Sequence, residues 1–284
     1  MPVDREKALA NPPRAGQGSY GKDDVILYHL GLGAGDPPTA ANELEYTYEK
    51  NLKVLPTFAV VANTGSGSFM GMDGLDFDRR MMLHGEQEIV LHKPLPPEAK
   101  ITSEMRVKEL YDKGNAALLI METNAKDESG DALFTSLISL FLRGEGGFGG
   151  PNAPKVGNEA PDRAPDGVIE VATLPQQALL YRLSGDKNPL HADPEFAKMA
   201  GFDKPIIHGL CSYGIVCKAI VDHVLGGDVA KVAGYAARFA GVAFPGETYL
   251  VSYWKEGGKI LVAAHSKDRD GAKIISNAAI TLRS

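Results

Sequence analysis

The stretch Tyr181-Arg182-Leu183-Ser184-Gly185-Asp186-Lys187-Asn188-Pro189-Leu190-His191 sets a carboxylate and an imidazole five residues apart. Pro189 disfavours a helical Asn188, and Gly185 loosens the chain before Asp186. Both side chains are therefore expected on a loop rather than on one helix face. A loop can turn both groups to one point, where they can bind a water, take its proton and deliver a proton nearby. That is equipment for adding water to a double bond. The same residues also suit a plain turn, in which Asp186 and Asn188 bond the local backbone. Spacing alone leaves both readings open.

The elements that must hold this loop follow it in the chain. Asp193 suits an N-cap, Pro194 the first helical position and Glu195 the first turn, with Gly201 closing a short helix. Phe196, Met199 and Ala200 supply its expected apolar face. After Phe202-Asp203-Lys204-Pro205-Ile206-Ile207-His208-Gly209, an apolar segment runs from Cys211 to about Leu225. There Leu210, Tyr213, Cys217, Ile220 and Val224 recur at helical spacing. Gly209 would then stand where a loop enters a buried helix. Its N–H can face a developing oxyanion, helped by the helix dipole. The competing reading makes Gly209 a packing glycine and His208 a satisfied core histidine.

The 284 residues carry a net charge of −6, 44% hydrophobic and 23% charged residues, the balance of a chain with a substantial core. Without a basic block, nucleic acid is not an expected partner. No apolar run is long enough to span a membrane, no signal core opens the chain, and Leu282-Arg283-Ser284 is not a peroxisomal address of the Ser-Lys-Leu type. The expected location is the cytoplasm. Cys211 and Cys217 lie in the expected helix and point to different faces, so no disulfide framework and no zinc cluster is expected. The first residues, with Pro12, Pro13, Gly16 and Gly18, are expected to lie on the surface or fray.

A Gly/Pro-rich linker from Gly144 to about Asp166 separates two halves with one plan. Leu95-Pro96-Pro97-Glu98-Ala99-Lys100-Ile101 echoes Phe244-Pro245-Gly246-Glu247-Thr248-Tyr249-Leu250. The strand Ala117–Met121 corresponds to Lys259–Ala263. Asp127-Glu128-Ser129-Gly130 and Asp268-Arg269-Asp270-Gly271 make matching hairpin turns. The pattern predicts a duplicated α+β fold in which each half is a helix followed by an antiparallel sheet. The halves are chemically unequal, because no Asp-x-Asn-Pro-x-His run occurs before Gly144. The run Asn63-Thr64-Gly65-Ser66-Gly67-Ser68 suits either an open tunnel wall or a flexible loop.

The run from Tyr181 to Pro194 and Ala200-Gly201-Phe202-Asp203-Lys204-Pro205-Ile206-Ile207-His208-Gly209-Leu210 resemble the hydratase 2 motif of MaoC-like (R)-specific enoyl-CoA hydratases. Tyr48-Glu49, Leu83-His84-Gly85-Glu86-Gln87, Asp112-Lys113-Gly114 and Gly146-Gly147-Phe148-Gly149-Gly150 resemble the two-repeat members. Among these is the hydratase segment of peroxisomal multifunctional enzyme type 2. The likeness runs from about Tyr20 to the C-terminus.

The resemblance implies a double hotdog fold. Residues 1–145 would form a non-catalytic, acyl-CoA-binding repeat, 146–166 a linker and 167–284 the catalytic repeat. It implies reversible syn hydration of a trans-2-enoyl-CoA to a (3R)-3-hydroxyacyl-CoA. Asp186 and His191 would hold the water, Asn188 would orient them and the Gly209 N–H would face the enolate oxygen. His84 and Gly85 match a pair near the thioester. Lys113 and Phe239 match ligand contacts, and Glu49 matches a sensitive carboxylate, here followed unusually by Lys50. Arg143 and Arg238 are further candidates for a phosphate, or for surface ion pairs. No metal and no cofactor is implied, since coenzyme A arrives with the substrate, and a homodimer is suggested. Alternatives on the same fold are a thioesterase, a 3-hydroxyacyl-thioester dehydratase of fatty-acid or polyketide elongation, and a non-catalytic acyl-CoA-binding protein.

Overall fold

The computed structural model describes residues 3–154 and 157–284. The first half contains α1 (Arg5–Ala10), β1 (Arg14–Tyr20), α2 (Lys22–Gly31), α3 (Ala41–Thr47), β2 (Met82–Leu91), β3 (Ala99–Asp112), β4 (Ala116–Asp127) and β5 (Ala132–Arg143). The second contains β6 (Gly167–Ala172), α4 (Gln177–Tyr181), α5 (Pro194–Met199), α6 (Gly209–His223), β7 (Val232–Phe239), β8 (Thr248–Glu256), β9 (Lys259–Ser266) and β10 (Ala272–Leu282). All ten strands join one antiparallel sheet in the order β1-β3-β4-β5-β2-β7-β10-β9-β8-β6. Read outward from the centre, β2-β5-β4-β3-β1 and β7-β10-β9-β8-β6 are one order used twice. The halves meet where β2 pairs with β7, from Glu86 opposite Arg238 to Val90 opposite Gly234. The echoed segments lead into β3 and β8, and the matching turns close the β4–β5 and β9–β10 hairpins.

α6 is apolar nearly all round, as a helix enclosed by a sheet must be. Cys211, Tyr213, Val216, Cys217, Ile220 and Val221 are buried in one cluster with Tyr235, Tyr249, Val251, Val262 and Ile280 of the sheet. Both cysteines are free and buried. Gly214 lets α2 close on this helix, since a Cβ there would stand 2.6 Å from Leu32 Cδ2 and 2.8 Å from Tyr28 Oη. α5 has the expected cap, Asp193 accepting from the Glu195 and Phe196 N–H groups, but a different buried face. Ala197 is the enclosed residue, while Phe196 and Met199 are exposed.

The first half follows the sheet plan without an equivalent long helix. A single 3-10 turn, Pro56–Val60, occupies the corresponding position in the chain. Gly65, Gly67, Gly71 and Gly74 then adopt positive φ, which right-handed helix cannot accommodate. This glycine-rich run is neither a free loop nor an open wall. Gly16, Gly18 and Gly65 allow its backbone to touch that of β1 where any Cβ would collide, and Ser103 Oγ donates to the Thr64 carbonyl at 2.8 Å. The same contact corrects the expectation of a fraying N-terminus. Arg14–Tyr20 is the edge strand beside β3, and its glycines exist for close approach rather than looseness. α1, with Val3, Met72 and Leu75, covers the far end of β3, β4 and β5 through Met105, Val107, Leu119 and Leu140.

The connection between β5 and β6 is tied to the sheet near both its ends. The Asp112 carboxylate gathers the N–H groups of Gly114, Gly147 and Gly149 at 2.8–2.9 Å, and Trp254 Nε1 donates to the Arg163 carbonyl at 3.0 Å.

Candidate active site

The loop between α4 and α5 does what Gly185 and Pro189 require. Gly185 turns with φ 128°, and Pro189–His191 forms one 3-10 turn capped by the Asn188 side chain, which accepts the Leu190 N–H at 3.0 Å. Asp186 Oδ1 accepts the Asn188 N–H at 3.0 Å. The turn reading and the convergence reading are therefore both realised: local bonds shape a loop that brings Asp186 and His191 together. The Asn188 side-chain oxygen is thus committed to the backbone of this turn.

His191 is buried and Asp186 exposed. His191 Nδ1 lies 2.9 Å from the Ile206 carbonyl, which can only accept, so Nδ1 carries the proton and Nε2 keeps its lone pair. Burial pulls the His191 pKa down, opposed by that carbonyl and by the Asp186 carboxylate. His191 is thus a neutral base with one free nitrogen. A third group joins them. His208 stacks on His191 with ring centroids 3.7 Å apart and planes at 27°, and its Nε2 donates to the Asp186 carbonyl at 3.2 Å. Burial, then His191, lowers the His208 pKa. Donor atoms of Asp186, His191 and His208 lie within 4.8 Å of one another. They do not make a shared metal site as arranged. A metal bonded at ~2 Å lies in the plane of each imidazole, and two stacked, nearly parallel planes do not converge at that range. His208 joins this cluster, although one of the two sequence readings made it a satisfied core histidine. Its Nδ1 is buried without a partner, so it is not a satisfied histidine.

Gly209 begins α6, which has no side-chain cap, so its N–H belongs to the unpaired first turn of the helix. A Cβ at Gly209 would stand 3.2 Å from the Phe239 ring. Phe239 in turn meets His84 edge-on, with centroids 5.0 Å apart. His84 reaches this place through a β-bulge. Between His84 and Glu86 the register against β5 slips by one at Gly85. The slip keeps His84 on the inner face with Gln87, Ile89 and Leu91, where strict alternation would turn it outward. His84 Nε2 is buried without a partner, and burial brings its pKa down to about 4. Asp186, Asn188, His191, Gly209, Phe239, His84 and Gly85 are therefore one neighbourhood drawn from both halves.

Glu49 and Lys113 are not brought into it. Glu49 is exposed just beyond α3, beside the C-terminal end of α6, where Tyr46 Oη donates to Asp222. The candidate site lies at the other end of that helix, ~20 Å away at 1.5 Å per residue. The carboxylate this region does bury is Glu43, paired with Lys218 at 2.9 Å. Lys113 is exposed in the β3–β4 turn, three strands from β2 in the sheet order. Arg238 is held by Glu86 at 2.7 Å, which accounts for it as an ion pair, and Arg143 is exposed at the end of β5. A cleft of ≈ 250 Å³ opens against His191, lined by Ala178, Leu179, Ala192, Lys204, Pro205 and Pro245 among others. A cavity of ≈ 320 Å³ around Glu86, Lys108, Tyr111 and Arg238 is on the opposite sheet face, away from this chemistry.

Comparison with known proteins decides the family. The profile of the MFE-2 hydratase 2 N-terminal domain matches residues 19–144, and that of the MaoC-like domain residues 156–278. The chain is 46% identical to the enoyl-CoA hydratase ChsH3 of Mycobacterium tuberculosis, over 97% of this chain and 98% of that one. This protein belongs to the MaoC-like hydratase 2 family. Within it, the peroxisomal enoyl-CoA hydratase 2 of Arabidopsis thaliana is 40% identical over 89% of this chain and 87% of its own. The crystal structure of a MaoC-like dehydratase from Phytophthora capsici superposes with a TM-score of 0.88 at 35% identity, covering 98% of both chains. The double hotdog of this hydratase 2 family member thus agrees with its relatives.

Proposed function

We propose that this protein hydrates trans-2-enoyl-CoA thioesters reversibly to (3R)-3-hydroxyacyl-CoA in fatty-acyl metabolism. The observation that carries the reading is the convergence of Asp186 and His191 beside the free N–H of Gly209. The thioester carbonyl makes C3 electrophilic. Water held between the Asp186 carboxylate and the His191 Nε2 lone pair attacks C3 as one of these groups accepts its proton. The π electrons move toward the carbonyl, and the enolate oxygen is stabilised by the Gly209 N–H at the head of α6. A proton then reaches C2 on the face the water came from, so the elements of water are added and both side chains return to their starting states. His84 from the first half, with Gly85 shaping the bulge, and Phe239 from the second would line the thioester. Lys113 is kept as a contact for a CoA phosphate outside the cluster, whereas Glu49 has no position from which to touch the reacting atoms.

The same groups run the reaction backwards, and the dehydratase name of the Phytophthora capsici relative favours that direction as the second reading. The deciding experiment follows the conjugated enoyl-thioester absorbance with short and medium trans-2-enoyl-CoA, then determines product chirality. Loss of absorbance with (3R)-hydroxyacyl-CoA and no free CoA is expected. Free CoA would point to a thioesterase instead, and a (3S) product would overturn the stereochemical assignment. A cytoplasmic homodimer belongs to the same reading and is checked by fractionation and light scattering. No helix among the described residues is long and apolar enough to cross a membrane.

A further inference from the structure

His208 occupies the N-cap of α6, where Ser, Thr, Asp or Asn would ordinarily bond the first turn. Its carbonyl does serve the helix, accepting from Cys211 and Ser212 at 3.0 and 3.1 Å, but its side chain caps nothing. The ring is instead turned back onto the Asp186–His191 loop. It stacks on His191 at 3.7 Å, donates to the Asp186 carbonyl at 3.2 Å, and rests against the Tyr181 ring at 4.9 Å. One side chain therefore joins the helix that presents the Gly209 N–H to both groups expected to handle the water.

We propose that His208 is a positioning residue of the hydration site: its ring sets the orientation of His191 by stacking, and its Nε2–H fixes the Asp186 backbone, so that both stay in register with the Gly209 N–H. This rests on the hydratase reading above. Around His208 stand His191 and the Asp186 carboxylate on the loop, Arg182 and Tyr181 before it, and the positive end of α6. Burial and His191 keep His208 neutral, so its Nε2–H and its stack persist through the neutral range.

The test compares H208A, H208F and H208Q. H208F keeps a stacking ring and loses the bond to Asp186, whereas H208Q keeps an N–H donor and loses the stack. H208A is expected to lower kcat ~100-fold with KM nearly unchanged, the scale at which a 1 Å misplacement acts. H208F and H208Q should each recover about tenfold of that loss on the same scale. The acidic limb of kcat/KM should also move up in H208A, because opening the site to water relieves the burial that depresses His191, and less so in H208F. A kcat in H208A within twofold of the parent, on the order of experimental scatter for a lost alignment, would overturn the proposal. So would a loss that follows melting temperature equally in all three variants. Imidazole NMR titration of His191 in the same proteins gives a readout independent of turnover. If the parent protein does not hydrate enoyl-CoA, the hydratase reading fails, while an unchanged His191 titration in H208A and H208F would still refute the positioning role.

Discussion

The two halves of the sheet use one strand order and differ in what fills the hollow beneath it. The second half encloses α6, a fifteen-residue helix that begins at Gly209 beside the candidate site. The first has a 3-10 turn and a glycine-rich run strapped to β1. The second half therefore supplies the Asp186–His191 pair proposed to handle the water and the helix N-terminus beside it. The first reaches the same site through His84, aimed by the bulge at Gly85. A duplicated fold can keep its hydrogen-bonded sheet, which stabilises both copies, while the element beneath it diverges. Sheet pairing depends on backbone and alternation, whereas the chemistry depends on a few side chains and one helix end.

The comparison is broken most sharply by removing the chemistry of the second half. D186N or H191A is expected to lower kcat by about 10²–10⁴-fold with KM within a few-fold, the range for a lost acid or base. Near-normal turnover in either variant would contradict the assignment. G209A comes next. The added Cβ meets Phe239 at 3.2 Å, so ring or helix start must give way, and a misplaced oxyanion donor should lower kcat by about 10–100-fold, below the loss seen when a donor is deleted outright. H84A in the first half is expected to raise KM several-fold (~1 kcal/mol of lost uniform binding) and to change kcat less. A kcat effect as large as that of H191A would make the halves chemical equals.

A stability contrast sharpens the first half itself. G65A forces a Cβ into the Gln17 backbone at φ +67°, whereas at Gly67, with φ +74°, nothing lies near. G65A should cost ~3 kcal/mol and G67A ~1 kcal/mol, read from denaturant midpoints. Equal losses would mean that the strap does not hold β1.

A pH dependence sharpens the contrast between a satisfied and an unsatisfied buried histidine. Burial holds both His29 and His84 down to about 4, from the ordinary 6.5. Between those values the unfolded chain binds more protons than the folded one, so stability is fully present above about pH 6.5 and is lost as pH falls toward 4. His29 is satisfied on both sides, Nδ1 donating to the Tyr46 carbonyl at 2.8 Å and Nε2 accepting the Leu55 N–H at 3.1 Å. His84 is not. Chemical denaturation at pH 5 and 7 should show the acid loss reduced in H84Q, and H29Q less stable at both.

The sequence by itself determined what could be written in local rules. Gly185 and Pro189 make a loop of residues 185–189, Asp193 and Pro194 start a helix, and the matching turns at Asp127–Gly130 and Asp268–Gly271 mark a duplication. An apolar segment with helical spacing marks α6, and Asp186, Asn188 and His191 mark the loop proposed to carry the chemistry. Tertiary structure decided what those rules do not contain. The glycines of β1 and of the Asn63–Ser68 run read as looseness, yet they permit backbone contact between segments about fifty residues apart. The bulge that turns His84 inward is a register slip between two strands, invisible in either one. Glu49 matches a family position by local pattern but stands at the wrong end of α6. His208 reads as a core histidine until the fold stacks it on His191, because the partners of a buried side chain come from elsewhere in the chain. Local conformation is set by the residues that carry it; a site is set by which distant residues the packed sheet and helix bring to one point.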